Sequence, residues 1–211
     1  MSATALVLFD LDGVLAHYEH APRLRVLAER TGTTERAVSR ALFESGLEQE
    51  ADLGLHDAQG HADELARRLG SPVAPADLIA ARAAAMTANA GVLALAHQVA
   101  RKTRVAILTN NNLLLRDNLA AICPPLFPLF EQRVFCSAQF RLGKPDPNVF
   151  LLCLEALDTP PEACFFIDDK PENPEGARAA GLSAHHYLNN DALLRAELFQ
   201  RGLLEDRSDA P

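Results

Sequence analysis

Four short stretches of this 211-residue chain carry side chains that could do chemistry, and each follows an apolar run. Asp10 and Asp12 stand two positions apart directly after Leu6-Val7-Leu8-Phe9, with Gly13 behind them. Thr109 and Asn110 follow Val105-Ala106-Ile107-Leu108, and Lys144 lies in the loop beyond Val134-Phe135-Cys136. Asp168 and Asp169 close Cys164-Phe165-Phe166-Ile167. Singly, each has a plain structural reading: Asp and Gly favour turns, Thr-Asn can cap a helix starting at Leu113, and Lys144 can be a solvated loop lysine. Together they read differently. Carboxylates crowded to about 4 Å repel by about 4 kcal/mol per pair at an effective dielectric of 20, so a cation must compensate. Lys144 supplies one charge, and oxygen donors without His or Cys point to Mg²⁺ for the rest.

What would bring these residues together is the pattern of elements. The four apolar runs are short and continuous, as suits strands covered on both faces, and Ala184-His185-His186-Tyr187 is a weaker fifth. Helical periods separate them. Asp146-Pro147 reads as an N-cap followed by proline at the first helical position, with Val149, Phe150, Cys153, Leu154 and Leu157 on one face. Asn173-Pro174 repeats the device before a helix that Gly181 should stop. A further helix, marked by Val92, Leu95, Ala96 and Val99, feeds the Val105 strand, and Ala192 to Phe199 reads as the last. Strand and helix alternate, the pattern of an α/β fold with a Rossmann-like, doubly wound parallel sheet. In such sheets ligands bind at the carboxyl ends of the strands, where all four stretches stand.

One interval breaks the rhythm. About 75 residues separate the first strand from the Val92 helix, where a loop of 2 to 6 is usual. The interval reads as helical, over Arg23–Arg30, Glu35–Phe43, Ala62–Leu69 and Ala76–Met86, punctuated by glycine and proline. The expected organisation is therefore a core of residues 1–15 and 92–211, with a small helical cap over 16–91 inserted after the first strand. Its hinges would lie near Leu15–His17 and Asn89–Gly91.

The D-x-D-G-V, hhh-T-N, G-K-P-D-P and hh-D-D runs, in this order at strand ends, resemble the haloacid dehalogenase superfamily over about residues 5 to 187, with a C1-type cap. The D-D-x-x-x-N-x-x-x-A-x-x-x-G run from Asp168 to Gly181 looks like its sugar-phosphate phosphatase branch. The resemblance implies that Asp10 is the nucleophile, forming an aspartyl-phosphate. It implies Mg²⁺ on Asp10, the backbone carbonyl of Asp12 and Asp169, with Asp168 as an outer ligand or orienter. Asp12, two residues on, can face the same side as Asp10 and act as general acid and base. Thr109, the backbone N–H of Asn110, and Lys144 would hold the phosphoryl oxygens. Asn110 to Asn112 are richer in asparagine than the family pattern and can be read as helix caps. Substrate choice falls to the insertion, where His17, Tyr18, His20, Arg23 and Glu50 are candidates.

Composition narrows the classes. A net charge of -8 argues against a nucleic-acid partner, which needs clustered Lys and Arg. No apolar run reaches membrane-spanning length, and Met-Ser-Ala-Thr-Ala has no basic leader, so the expectation is a cytoplasmic protein, monomeric or homodimeric. The four cysteines, Cys123, Cys136, Cys153 and Cys164, form no C-x-x-C pair and read as buried thiols. None of the seven histidines shows H-x-x-x-H or H-E-x-x-H spacing, which argues against zinc. The functional expectation is a Mg²⁺-dependent phosphatase acting on a small phosphorylated metabolite, with a sugar phosphate as one reading. The alternatives are a phosphomutase or dehalogenase of the same superfamily, or a non-enzymatic phosphate-binding module.

Overall fold

Leu6–Phe9 forms β1, and all four of its side chains are fully buried because the strand has a core on each face. Val7 and Phe9 point into one apolar cluster and Leu6 and Leu8 into another, as the two-residue period of a strand requires. Burying each such side chain stabilises the fold by about 1.5–3 kcal/mol. In this computed structural model residues 3–205 are described.

After β1 the chain leaves the sheet through β2 (Ala16–Tyr18) into five helices: α1 (His20–Thr31), α2 (Glu35–Val38), α3 (Leu47–Asp52), α4 (Ala58–Leu69) and α5 (Pro75–Ala84). It returns through β3 (Met86–Ala88), which pairs antiparallel with β2, Ala16 opposite Ala88. These helices share an apolar cluster of their own, built on Leu27, Leu42, Leu65 and Leu78. Then follow α6 (Ala90–Val99), β4 (Arg104–Thr109), α7 (Leu113–Ile122), β5 (Val134–Cys136), α8 (Ser137–Phe140), α9 (Pro147–Ala156), β6 (Cys164–Asp168), α10 (Glu172–Ala179), β7 (Ser183–His186) and α11 (Asp191–Gln200).

The sheet is parallel, in the order β5-β4-β1-β6-β7, with Phe9 in register with Ile107 and Ile167. Helices α6, α7 and α11 cover one face, and α9 and α10 the other. Because β1 is central and the chain winds first one way and then back, the carboxyl ends of β1, β4 and β6 bound one crevice, a topological switch point.

Several local expectations are corrected. The Glu35–Phe43 helix is α2 followed by a π-helical turn, Ser39–Glu44. Met86 belongs to a strand rather than to the preceding helix; three-residue strands such as β2 and β3 are too short to display a period. Asn173 is not an N-cap, since α10 already begins at Glu172. The cysteines are buried free thiols, as expected. Among the described residues no helix is long and apolar enough to cross a membrane.

The two ends of the insertion meet at Asn89. Its backbone N–H donates to the Leu15 carbonyl at 2.9 Å, and its side-chain amide donates to the Val14 carbonyl at 3.1 Å and to the Tyr187 hydroxyl at 3.3 Å. Its Oδ1 caps α6 by accepting from Val92 N. Asn89→Ala takes the side-chain partner from the Val14 carbonyl and the Val92 N–H, and a cost of about 1–3 kcal/mol is expected. Urea unfolding checks this: a change under about 0.5 kcal/mol would show the clasp to be dispensable.

Candidate active site

Asp10 is the first residue beyond β1, held to the sheet edge by its N–H on the Ile167 carbonyl at 2.9 Å. Its Oδ1 accepts from Leu11 N at 2.7 Å and pairs with Lys144 Nζ at 2.8 Å. The same ammonium lies 2.6 Å from Oδ2 of Asp168, the last residue of β6. Asp168 Oδ1 in turn accepts from Lys170 N and from Asn173 Nδ2, both at 2.9 Å. Lys144 is aimed by its backbone. Asn110 accepts from Lys144 N and donates to Lys144 O, each at 2.8 Å, so the end of β4 fixes the loop that carries the ammonium.

Asp169, next to the β6 terminus, completes a trio: oxygens of Asp10, Asp168 and Asp169 lie within 4.8 Å of one another. Its Oδ1 is buried and has no hydrogen-bond partner. Room for it exists only because residue 13 is glycine. A Cβ on Gly13 would stand 2.3 Å from Asp169 Oδ2, and the backbone there has φ +87.

Three carboxylates with one ammonium leave the pocket short of positive charge. Burial pushes the Asp10 carboxyl up to about 8, with Lys144 pulling down and Asp168 and Asp12 pushing further up. Burial, then repulsion from Asp168, also raises Asp169. Burial alone would lower the Lys144 ammonium, but Asp10 and Asp168 outweigh it and hold it above its ordinary value. An all-oxygen donor set with a partnerless buried oxygen fits a hard divalent cation. Asp169 offers the free oxygen, whereas both oxygens of Asp168 are already engaged.

Asp12 is met from the roof. Its Oδ2 accepts from Asn111 Nδ2 at 3.0 Å and pairs with the guanidinium of Arg82 on α5. Asn111 Nδ2 also donates to Thr109 Oγ1 at 2.8 Å, and its Oδ1 accepts from Arg82 at 3.3 Å. The three asparagines thus have three tasks. Asn110 clasps Lys144, Asn111 joins Thr109 to Asp12, and only Asn112 caps α7, accepting from Leu115 N. A cleft of about 490 Å³ opens above these strand ends, with the insertion as its roof. His17, Tyr18, His20 and Arg23 line it as expected. Glu50 does not; it pairs with Arg68 and His56, each at 3.1 Å, and Glu48 takes the inward position.

Sequence reasoning misses Arg82, Asn111 and Glu48. Arg82 does leave a signal, as the one cation on α5, set within the alanine run Ala80–Ala85.

A cluster of acids around one lysine at the edge of a doubly wound sheet, roofed by a helical insertion, defines a class. The family model for haloacid dehalogenase-like hydrolases matches residues 4–181, and the chain belongs to that family of enzymes. Phosphatase MT3486 of Mycobacterium tuberculosis (strain CDC 1551 / Oshkosh) is 28% identical over 208 residues, covering 88% of this chain and 87% of that protein. Among solved structures, a haloacid dehalogenase family enzyme of Bacteroides thetaiotaomicron, in complex with magnesium and inorganic phosphate, superposes with a TM-score of 0.73 at 21% identity, over 87% of this chain and 94% of that one. The L-2-haloacid dehalogenase of Xanthobacter autotrophicus, with chloropropionic acid covalently bound, gives a TM-score of 0.63 at 20% identity, over 100% of this chain and 85% of that one. The two structures share the fold of this chain.

The charge shortage has a measurable sign. A carboxyl raised from 3.8 to about 8 by folding favours the folded state while protonated, so its contribution is lost as pH rises through that interval. A cation that replaces the proton restores it. Added Mg²⁺ should therefore raise the thermal midpoint more at pH 8 than at pH 5. Gly13→Ala, which displaces Asp169, should abolish most of that gain. Differential scanning fluorimetry with Mg²⁺ and with EDTA reads both; an equal shift at the two pH values would contradict the assignment.

Proposed function

We propose that this protein is a Mg²⁺-dependent phosphatase that hydrolyses a small phosphorylated metabolite through an aspartyl-phosphate on Asp10. The observation that carries the reading is the strand-end pair: Asp10 anchored by Lys144, and Asp169 presenting a buried, partnerless oxygen beside it. The relative named as a phosphatase and the fold neighbour holding magnesium and phosphate support it.

Asp10, Asp169 and the backbone carbonyl of Asp12 would hold the ion, with Asp168 orienting Lys144. When bound, Mg²⁺ screens the repulsion between carboxylate and phosphate. Lys144 and the Leu11 amide both engage Oδ1 of Asp10, so Oδ2 is the oxygen left to attack phosphorus. As the new P–O bond forms, the ester P–O bond breaks, and Asp12 gives its proton to the departing oxygen. In the second half Asp12 takes a proton from water as that water attacks phosphorus, which frees Asp10 and releases inorganic phosphate. Thr109, the Asn110 N–H and Lys144 bind the non-bridging oxygens as charge shifts between them. Asn111, fixed between Thr109 and Asp12, sets the distance between phosphate binding and proton transfer. Residues 16–91 act as the cap that excludes bulk water and selects the substrate, a sugar phosphate among the candidates.

A dehalogenase has the same fold, but it has no use for an acid at position 12 or for the Asp168-Asp169 pair. A mutase would need a second hydroxyl, rather than water, to reach the aspartyl-phosphate.

Two substitutions separate the acids. Asp10→Asn removes the charge and most of the nucleophilicity, and turnover should vanish. Asp12→Asn keeps the nucleophile and loses the proton donor, a loss of about 10²- to 10⁴-fold on an alkyl phosphate. The loss should shrink on an aryl phosphate, whose leaving group needs less protonation, and phosphorylated Asp10 should accumulate. Burst kinetics with intact mass spectrometry decide: equal losses on both esters and no trapped phosphate would contradict the assigned roles.

A further inference from the structure

Two arginines of the cleft have no task in the reaction above. The side chains of Arg23 and Arg82 are only 5% and 6% exposed, although both border the cavity. They converge on one ring. Arg23 donates to the Tyr18 hydroxyl at 3.4 Å, and the Arg82 guanidinium lies 4.3 Å over the Tyr18 face. In each, the Nε is buried and has no acceptor.

The acids around them engage only part of each guanidinium. Glu48 pairs with Arg23 at 2.6 Å, and Arg82 rests on Asp12. Asp52, which also faces the cleft, is held well above its ordinary value by burial and by Glu48. His61 lies 3.6 Å from Glu48 and is pushed down by burial. Each guanidinium thus has one carboxylate in contact and keeps a buried Nε without an acceptor.

Their position matters as much as their charge. Asp12 has to reach the leaving oxygen, so a guanidinium resting on Asp12 borders the organic part of the substrate. The non-bridging oxygens belong to Thr109, Asn110 and Lys144 at the strand ends. A net charge of -8 gives the chain no general attraction for anions, and recognition of one must be local.

Building on the phosphatase reading, we propose that Arg82 and Arg23 recognise a second anionic group on the leaving portion of the substrate. The substrate class is then a phosphate monoester that also carries a carboxylate or a second phosphate. A planar guanidinium fork backed by an aromatic face suits either group.

Three probes isolate that second group: 3-phosphoglycerate carries a carboxylate, 1,3-propanediol bisphosphate a second phosphate, and glycerol 3-phosphate neither. The wild-type enzyme should favour one or both of the acidic esters over glycerol 3-phosphate in kcat/KM by about 10- to 100-fold, the scale of hydrogen bonds to a charged group. Which one is favoured identifies the group. Arg82→Gln should collapse that ratio through KM, and Arg82→Lys, which keeps charge but loses the fork, should restore part of it. If Arg82→Gln does not fold, the wild-type ratio and the Lys variant still decide. Turnover of p-nitrophenyl phosphate without preference among the three probes overturns this proposal alone. So does an equal loss on all three in the Arg82 variants, which would assign Arg82 to holding Asp12 or to the scissile phosphate. Absence of turnover of any ester, p-nitrophenyl phosphate included, overturns the phosphatase reading and this proposal with it.

Discussion

The ammonium of Lys144, buried between Asp10 and Asp168, is the interaction on which the rest of the site depends. A buried lysine without anions would be forced to lose its proton, and two buried carboxylates without a cation would be forced to take one. Neither half is tolerable alone, and removing one partner of a buried pair typically costs about 3–5 kcal/mol. The contact therefore ties the loop before α9 to the ends of β1 and β6, while Asn110 ties it to the end of β4. It also leaves a remainder. One ammonium cannot neutralise three carboxylates, so the fold that places Asp10 creates the demand for a further cation on the Asp169 side.

That arrangement rests on the sheet. Since Phe9, Ile107 and Ile167 are in register, the next residues of β1 and β6 emerge at one height, and Asp10 and Asp168 meet without adjustment. A slip of one residue in either strand would turn its whole apolar set to the opposite core and carry its acid away from Lys144. The apolar cores and the charged site thus impose the same register. Gly13 then lets the chain turn beneath Asp169 and leaves the space that its carboxylate fills.

The strand-end residues are legible in the sequence because each closes an apolar run, and burial marks both the strand and where it stops. Asn173-Pro174 is a sound local signal for a helix cap, yet the tertiary bond from Asn173 to Asp168 prevails over it. The roof is harder to read. Arg82 and Asp12 are 70 residues apart, and nothing local to either states that α5 will lay one on the other. Glu48 and Glu50 differ by two positions on the six-residue helix α3, too short for a period to tell which faces inward. Packing decides, turning Glu48 to Arg23 and Glu50 to Arg68. The asparagine run is opaque for a different reason: identical residues in sequence have three different partners, and composition cannot distinguish them.

The contrast between the two kinds of contact bears on how the roof works. Within residues 16–91 the helices hold together through an apolar cluster, to which Leu114 is the single buried contributor from outside among the described residues. Against the strand ends there are polar contacts, Arg82 on Asp12, Asn112 on Asp52 at 3.2 Å, and the Ser137 hydroxyl on the Asp52 carbonyl at 2.6 Å, beside an apolar seam in which Tyr18, Ile79, Ala83, Met86 and Ala88 join the core of the sheet. Apolar burial is lost in full when surfaces part, whereas a polar contact is largely replaced by water or by a ligand, so its net worth is about 0.5–1.5 kcal/mol. The polar contacts over the strand ends are thus the ones that water can replace, while the shared apolar cluster holds the roof to itself and the apolar seam holds it to the sheet.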